Sequence, residues 1–287
     1  MGKVFIAGCG YIGERIARLT RDDGGIVTCM VRSSDHAARL SGDGFSTIAC
    51  SLDDIAAIPQ LDLAGCTLFY LVPPPGGGIT DTRAGNFIAT LADATPPSKI
   101  VYISATSVYS ESAGGIVTED SPAEPLSAMG RRRRDAEKAF IECGRANHVP
   151  VLILRVSGIY GPGRLPLMQI SQGQPLLREE ESGPSNRIHA DDLAAVCLAA
   201  AVRGEDGDIF NVSDGHPSSM TSYFNACADA LKLPRQPQVT FEEARLVMSP
   251  LMFSYVSESR VVDCGRMLKQ LNVSLRYPTV QEGLAAM

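Results

Sequence analysis

Residues 6–13 read Ile6-Ala7-Gly8-Cys9-Gly10-Tyr11-Ile12-Gly13, a G-x-G-x-x-G pattern near the start of a 287-residue chain. An apolar run, Lys3–Gly8, leads into it, and a helix-forming segment, Tyr11–Asp23, leads out. Strand, glycine turn and helix in that order predict a dinucleotide-binding turn. Gly8 permits the tight turn, Gly10 lets a pyrophosphate approach the backbone, and Gly13 lets helix and strand pack closely. Tyr11 and Ile12 complete the cradle, whose free N–H groups at the helix start face the phosphates. A plain strand–turn–helix junction is the alternative, and the context favours the nucleotide.

The second predicted strand ends Val31-Arg32-Ser33-Ser34. An NAD site usually carries an acid there, about 20 residues past the turn, to bind the ribose hydroxyls. A cation in that place predicts NADP(H) in preference to NAD(H), with Arg32 and Ser33 on the 2′-phosphate. No carboxylate stands beside Arg32 in the sequence to repel the phosphate. The alternative is a surface arginine at a strand end.

These residues need a sheet to position them. Strands are predicted at Lys3–Gly8, Ile26–Val31, Ser46–Cys50, Thr67–Val72, Lys99–Ser104, Val151–Arg155 and Asp208–Val212. Helices fit between them at Tyr11–Asp23, Asp35–Leu40, Asp81–Ala94, Ser127–Asn147 and Asp191–Val202. Near-continuous apolar strands alternating with helices predict an α/β Rossmann fold, a doubly wound parallel sheet. After Val212 the pattern changes to a helix at Ser218–Leu231 and short proline-bounded segments. Gly161–Pro184 reads as a loop or lid. Residues 1–157 plus 187–212 are expected to form the dinucleotide-binding domain. Residues 158–186 plus 213–287 are expected to form a smaller substrate lobe.

Composition narrows the function classes. The chain is 45% hydrophobic and 20% charged, with a net charge of −6. That is globular composition, and it disfavours a nucleic-acid partner, which selects basic domains. No apolar run reaches the 18 or so residues of a membrane span, and the first residues do not read as a signal peptide. The 8 cysteines lie scattered in apolar segments, without a C-x-x-C pair. Thiols of that kind suit a reducing compartment, so a cytoplasmic location is expected. The 4 histidines are well separated, and no metal site is expected.

Five later motifs add specificity. They are Val101-Tyr102-Ile103-Ser104-Ala105-Thr106-Ser107-Val108-Tyr109, Thr118-Glu119-Asp120-Ser121-Pro122, Leu154–Arg164, Arg187-Ile188-His189-Ala190-Asp191-Asp192-Leu193, and Phe210–Gly215. In this order and spacing the chain resembles the extended short-chain dehydrogenases/reductases, the NAD-dependent sugar epimerases and dehydratases. The resemblance covers about the first 215 residues well and the tail only loosely. It implies that Ser51 and Leu52 lie near the adenine and that Leu71, Val72 and Pro73 line the cofactor. Ser157 and Gly158 fall on its nicotinamide side, and Ser104 is a further cofactor-binding candidate. Ser51 stands where the family usually has aspartate, and Ala7 where it usually has the first glycine. The resemblance also implies a small-molecule substrate, such as a sugar nucleotide or a small carbonyl compound. The assembly is expected to be a monomer or homodimer.

The family's chemistry uses a Ser or Thr, a Tyr, and a Lys four residues after the Tyr. On a helix, Tyr and Lys at that spacing share one face. The ammonium lowers the phenol's pKa, so the phenol can exchange a proton near neutral pH. Here the three slots fall on Ala105, Met129 and Arg133. Methionine has no exchangeable proton and arginine stays charged. Arg133 retains the capacity to bond the nicotinamide ribose. In the run Arg131 to Arg134, pairs Arg131–Asp135 and Arg133–Glu137 are expected on a solvated helix start. Weak substitutes for the missing acid are Thr106, Tyr109 and Tyr160, each with packing as the alternative. His189 is expected to bond backbone, and Asn86 to be structural. Arg164 and Arg187 are candidates to hold an anionic substrate, or else plain surface charges.

Two readings follow. One is an NADP(H)-dependent oxidoreductase, epimerase or dehydratase with a rearranged acid/base set. The other is a dinucleotide-binding protein without turnover, a redox sensor or partner-binding module.

Overall fold

The computed structural model describes residues 2–91 and 94–287. The first half runs β1 (Lys3–Ala7), α1 (Tyr11–Asp22), β2 (Ile26–Val31), α2 (Ser34–Gly42), β3 (Ser46–Ala49), β4 (Cys66–Tyr70), α3 (Thr82–Thr90), β5 (Lys99–Ala105), β6 (Ala113–Val117), α4 (Ala128–Asn147) and β7 (Val151–Val156). It continues β8 (Gly158–Tyr160), α5 (Leu167–Ser171), β9 (Leu176–Leu177), β10 (Pro184–Ser185), β11 (Arg187–His189), α6 (Ala190–Arg203) and β12 (Ile209–Val212). The tail adds β13 (Ser218–Ser219), α7 (Met220–Ala230), β14 (Gln238–Val239), α8 (Phe241–Val247), α9 (Pro250–Ser257), β15 (Ser259–Val262), α10 (Gly265–Gln270) and α11 (Val280–Ala285).

A 7-stranded sheet in the order β12-β7-β5-β4-β1-β2-β3 forms the centre. Its neighbours pair in parallel. The expected doubly wound Rossmann architecture is therefore the observed one. β1 lies between β2 and β4, where the order of winding reverses. A crevice opens beyond the carboxyl ends of the strands at such a point.

Burial explains the strands. Every residue of β7 is buried, as suits a parallel strand covered on both faces. Successive β1 residues alternate between two cores: Val4 and Ile6 face α1 and α6, while Phe5 faces the α3–α4 side. On that second side Phe140 packs against Tyr70 and Tyr102 with ring centroids 4.8 and 5.0 Å apart. Each such ring stabilises the fold by roughly 1.5–3 kcal/mol through burial.

Several boundaries differ from expectation for local reasons. Asp81 is not the first residue of its helix but the cap of α3, accepting from the Ala84 amide at 3.0 Å. The α-helical part ends at Thr90; of the predicted extension to Ala94, residues 92 and 93 lie outside the described residues. Ser219 likewise caps α7, with β13 before it. The predicted loop Gly161–Pro184 contains α5 and β9, and β9 pairs with β14.

The tail is also less separate than the sequence suggests. β15 pairs with β6, a strand of the first half whose Gly114 and Gly115 hid it from propensity. Cys264, Met267 and Leu271 enter the main core, whereas Tyr223, Phe224, Val280 and Leu284 form their own cluster with Tyr160 and Ile170. The segments expected to form the substrate lobe, 158–186 plus 213–287, thus send residues into both clusters. No helix among the described residues is long and apolar enough to cross a membrane.

Candidate functional site

At the crevice lies a cavity of about 310 Å³, lined by the glycine turn, the ends of β2 and β4, and residues 50–53. Gly8 has φ +86°, and a Cβ there would come within 2.9 Å of the Val72 amide nitrogen. Only glycine takes this turn without strain. A Cβ on Gly13 would meet the Gly8 carbonyl and Ile6 at 3.0 Å, so this glycine sets how closely α1 packs on β1. Gly10 is different: a Cβ there would meet nothing within 4 Å. Its freedom from a side chain leaves space beside the cavity rather than easing a contact within the protein. Gly10 is also the N-cap of α1 and brings no capping side chain to the first-turn amides. Those amides and the helix dipole suit an anion. The one first-turn acid, Glu14, is held by His36 at 3.0 Å and by Arg39. Burial pushes its carboxyl up, but the bonds from Arg39 and His36 outweigh this and keep it below the usual range.

The remaining cleft residues come from loops after strands. Arg32, Ser51, Leu52, Val72 and Pro73 all line the cavity. Leu71 instead packs against the main core, its amide bonded to the Ala7 carbonyl at 2.8 Å. Ser33 caps α2, accepting from the His36 amide at 3.3 Å. Asn86 donates to the Leu52 carbonyl at 2.9 Å, so its role is to hold that loop.

Further lining residues escaped the sequence reading, among them Cys9, His36, Asp53 and Arg83. The expectation that no carboxylate stands near Arg32 is corrected here, because Asp53 shares its cavity. Asp53 follows Ser51 by two positions and is separated from Arg32 by a whole strand, so adjacency in sequence could not reveal it. Arg83 grips Asp53 at two points, 2.6 and 3.1 Å, and holds its carboxyl below the usual range.

At the other end, toward β5 and β7, the expected residues meet different fates. Ser104 turns its hydroxyl away from the crevice and donates it to the buried Glu137 at 2.6 Å. Ala105 ends β5, and Met129 stands half-buried in the first turn of α4. Gly130 lets this turn approach the carbonyl of Ser107 so closely that a Cβ would lie 2.2 Å from it. Arg133 donates to the Ile103 carbonyl at 2.9 Å, fastening α4 to the end of β5.

The arginine run is not simply a solvated helix start. Arg131 bonds the Pro125 carbonyl at 3.3 Å, Arg132 the Gly78 carbonyl at 2.7 Å, and Arg134 pairs with Glu137 at 2.8 Å. The expected Arg133–Glu137 pair gives way to Arg134–Glu137, because Glu137 faces inward beside Arg155. Asp135 accepts from the Asp81 amide at 2.9 Å, in place of the expected pair with Arg131.

Tyr109 and Tyr160 do not reach the crevice. Tyr109 is 2% exposed and gives its hydroxyl to Asn211 at 2.6 Å. Tyr160 is fully buried and gives its hydroxyl to the Thr279 carbonyl at 3.1 Å. Burial pushes both phenols above their ordinary pKa, the wrong direction for proton exchange near neutral pH. Thr106 begins a short 3₁₀ turn, and its carbonyl accepts from Arg260 at 3.0 Å. His189 caps α6 through its ring nitrogen, as expected, accepting from the Asp191 amide at 3.2 Å.

Arg164 is exposed and lies 5.2 Å over the Tyr11 ring, whose hydroxyl donates to the Pro162 carbonyl at 3.0 Å. Arg187 is buried, against the surface-charge alternative. It stacks 4.3 Å over Tyr223, donates to the Asn186 carbonyl at 2.9 Å, and points its other nitrogen at the Met220 sulfur. No carboxylate among the described residues pairs with it, and burial lowers its pKa. A Cβ on Gly158 would lie 2.6 Å from this guanidinium. Next to Gly158 is Ser157, whose buried hydroxyl has no partner among the described residues. Among the described residues no cluster suited to a metal occurs.

A wound parallel sheet with a glycine-walled crevice defines the class by fold: a Rossmann-type α/β protein, similar to the extended short-chain dehydrogenases/reductases. A model of the NAD dependent epimerase/dehydratase family matches residues 80–213, and the recognition drawn from the motifs stands. Protein YeeZ of Escherichia coli K12 is 27% identical over 292 residues, covering 97% of each chain. A conserved protein of unknown function from Silicibacter pomeroyi superposes with a TM-score of 0.83 at 27% identity, covering 100% of this chain and 98% of that one. The UDP-glucuronic acid 4-epimerase of Bacillus cereus, in complex with NAD, shares the fold with a TM-score of 0.75 at 18% identity, covering 100% and 97%.

Proposed function

We propose that this chain binds NADP(H) in the crevice at Gly8–Gly13. On this reading it is an oxidoreductase, epimerase or dehydratase for a sugar-nucleotide-like or small carbonyl substrate. One observation carries the binding: Gly10 leaves open space at an uncapped helix start beside the cavity that Arg32 lines. The residues fit the group. The amides of α1 take the pyrophosphate, Leu52, Val72 and Pro73 enclose the base, and Arg32 takes the 2′-phosphate. When bound, the nicotinamide supplies hydride transfer. The chain's own part is to orient it, with Arg133 and Gly158 on its far side.

Arg187 and Ser157 support an anionic or carbonyl-bearing substrate. The buried Arg187 guanidinium has no ion-paired carboxylate among the described residues, only the longer-range pull of Asp214, and a substrate oxyanion would satisfy it together with the unused Ser157 hydroxyl. Calorimetric titration tests the central claim. NADPH should bind more tightly than NADH, and absence of binding by either overturns the reading.

A second reading, binding without turnover, is favoured by one observation. Met129 replaces the proton donor and Arg133 is fastened to the Ile103 carbonyl. Assay of nicotinamide turnover against sugar-nucleotide and carbonyl panels separates the two.

A further inference from the structure

We infer that Arg83 is a second determinant of dinucleotide choice, acting by occupying Asp53 so that Arg32 stays free for a phosphate. The inference rests on the reading that the crevice takes NADP(H). Arg32, Asp53 and Arg83 line one cavity, so a carboxylate stands with two guanidinium groups at the same opening. Asp53 must choose between them, and the structure shows the choice. Both of its oxygens are taken by Arg83, at 2.6 and 3.1 Å, a two-point geometry that is the strongest available to such a pair. The Ser51 hydroxyl adds a bond to Asp53 at 3.3 Å. Arg83 is itself anchored across the cleft, donating to the Pro73 carbonyl at 3.1 Å. Arg32 forms no ion pair among the described residues, and its charge acts on Asp53 only at longer range, after the Arg83 bonds.

The side chain of Asp53 is 49% exposed and that of Arg83 only 18%. The carboxylate is therefore open to the cleft, while its guanidinium partner is held beneath it. Without Arg83, this carboxylate has two courses. It swings to Arg32, removing the cation meant for the phosphate, or it stays and repels a phosphate bound there. Both lower the affinity for a 2′-phosphate and neither acts on a cofactor that lacks one. Arg83 is on this account a positioning residue, and the signature is a change in ratio rather than a loss of binding.

The test is a cycle of variants titrated with NADPH and with NADH, each first shown by thermal melting to be folded. Arg83→Met should weaken NADPH by roughly three- to tenfold, the scale of one partly screened charge interaction in an open cleft. NADH should change little. Asp53→Asn in the Arg83→Met background should return the NADPH:NADH ratio close to that of the unaltered protein. Equal weakening of both cofactors by Arg83→Met, with no recovery from Asp53→Asn, would overturn the inference and leave Arg83 a scaffold for the Pro73 segment. An unchanged ratio in Arg83→Met would also overturn it. Failure of the underlying reading looks different: the unaltered protein would bind neither cofactor, or both equally, before any variant is made.

Discussion

Arg155 reaches the fully buried carboxylate of Glu137 with two nitrogens, at 3.0 and 3.1 Å, and so ties β7 to α4 beneath the end of β5. Ser104 adds its hydroxyl to the same carboxylate at 2.6 Å. The group holds in place the helix turn that carries Met129 and Arg133. Removing Arg155 strips two bonds from a buried carboxylate and leaves Arg134, at 2.8 Å, as its remaining cation. Arg155→Ala should therefore destabilise the fold by up to about 3–5 kcal/mol. Urea denaturation is the measurement, and a loss below about 1 kcal/mol would show that water enters and solvates Glu137.

Gly8 and Gly10 should separate stability from binding. Gly8→Ala forces a side chain into φ +86° against the Val72 amide, and should cost about 1–3 kcal/mol of stability. The Cβ of Gly10→Val meets no protein atom within 4 Å, so the fold should survive while dinucleotide binding is lost. Melting curves and titration of the same samples distinguish the two. Full affinity in Gly10→Val places the dinucleotide elsewhere.

Arg32→Ala should bring the two cofactors close to equal, mainly by weakening NADPH. A hydrogen bond to a charged group contributes about 1.5–3 kcal/mol, hence roughly tenfold to a hundredfold in affinity. Thermal shifts with NADPH and NADH read this, since a ligand of the folded state raises its melting temperature. A variant that keeps its preference would make Arg32 a surface charge.

Proton transfer by a positioned group typically contributes 10²–10⁴-fold to rate. If Met129 and Ala105 stand in the proton-donor slots that the resemblance implies, alcohol oxidation by the natural chain should be slow. Met129→Tyr combined with Arg133→Lys should raise it measurably. Ordinary enzyme rates in the natural protein, retained after replacing Thr106, would show that another group supplies the proton.

Asp214 offers a pH test. Burial raises its pKa to about 6, against the opposing pull of the His216 amide, His216 itself and Arg187. Its Oδ2 has no hydrogen-bond partner among the described residues. The folded state thus binds this proton more tightly than the unfolded chain, whose aspartate titrates near about 3.9. Its contribution to stability is complete below about pH 4 and is lost as pH rises through about 6. Asp214→Asn should flatten that fall and raise stability at pH 7. Parallel denaturation curves for both proteins across this range would refute the assignment.

The local patterns were legible because they are short-range. The glycine turn, its flanking strand and helix, and the alternation of strands with helices all follow from neighbours along the chain. Gly8, Gly10 and Gly13 stand out by their spacing, whereas the expectation at Ala105, Met129 and Arg133 rested on the resemblance. Arg187 was visible as a candidate, but a sequence does not distinguish a buried guanidinium from a surface one.

Tertiary structure decided how side chains are used once distant segments meet. Ser104 lost its place at the crevice because a strand's side chains alternate, and its face meets Glu137. Tyr109 and Tyr160 were withdrawn by burial against Asn211 and Thr279, segments that are remote in sequence. β6 became a strand only because β15 supplies its partner. Above all, the charge balance of the cleft depends on Asp53 and Arg83 joining Arg32 at one cavity. Electrostatic interaction follows distance in space, and the chain's order does not record that distance.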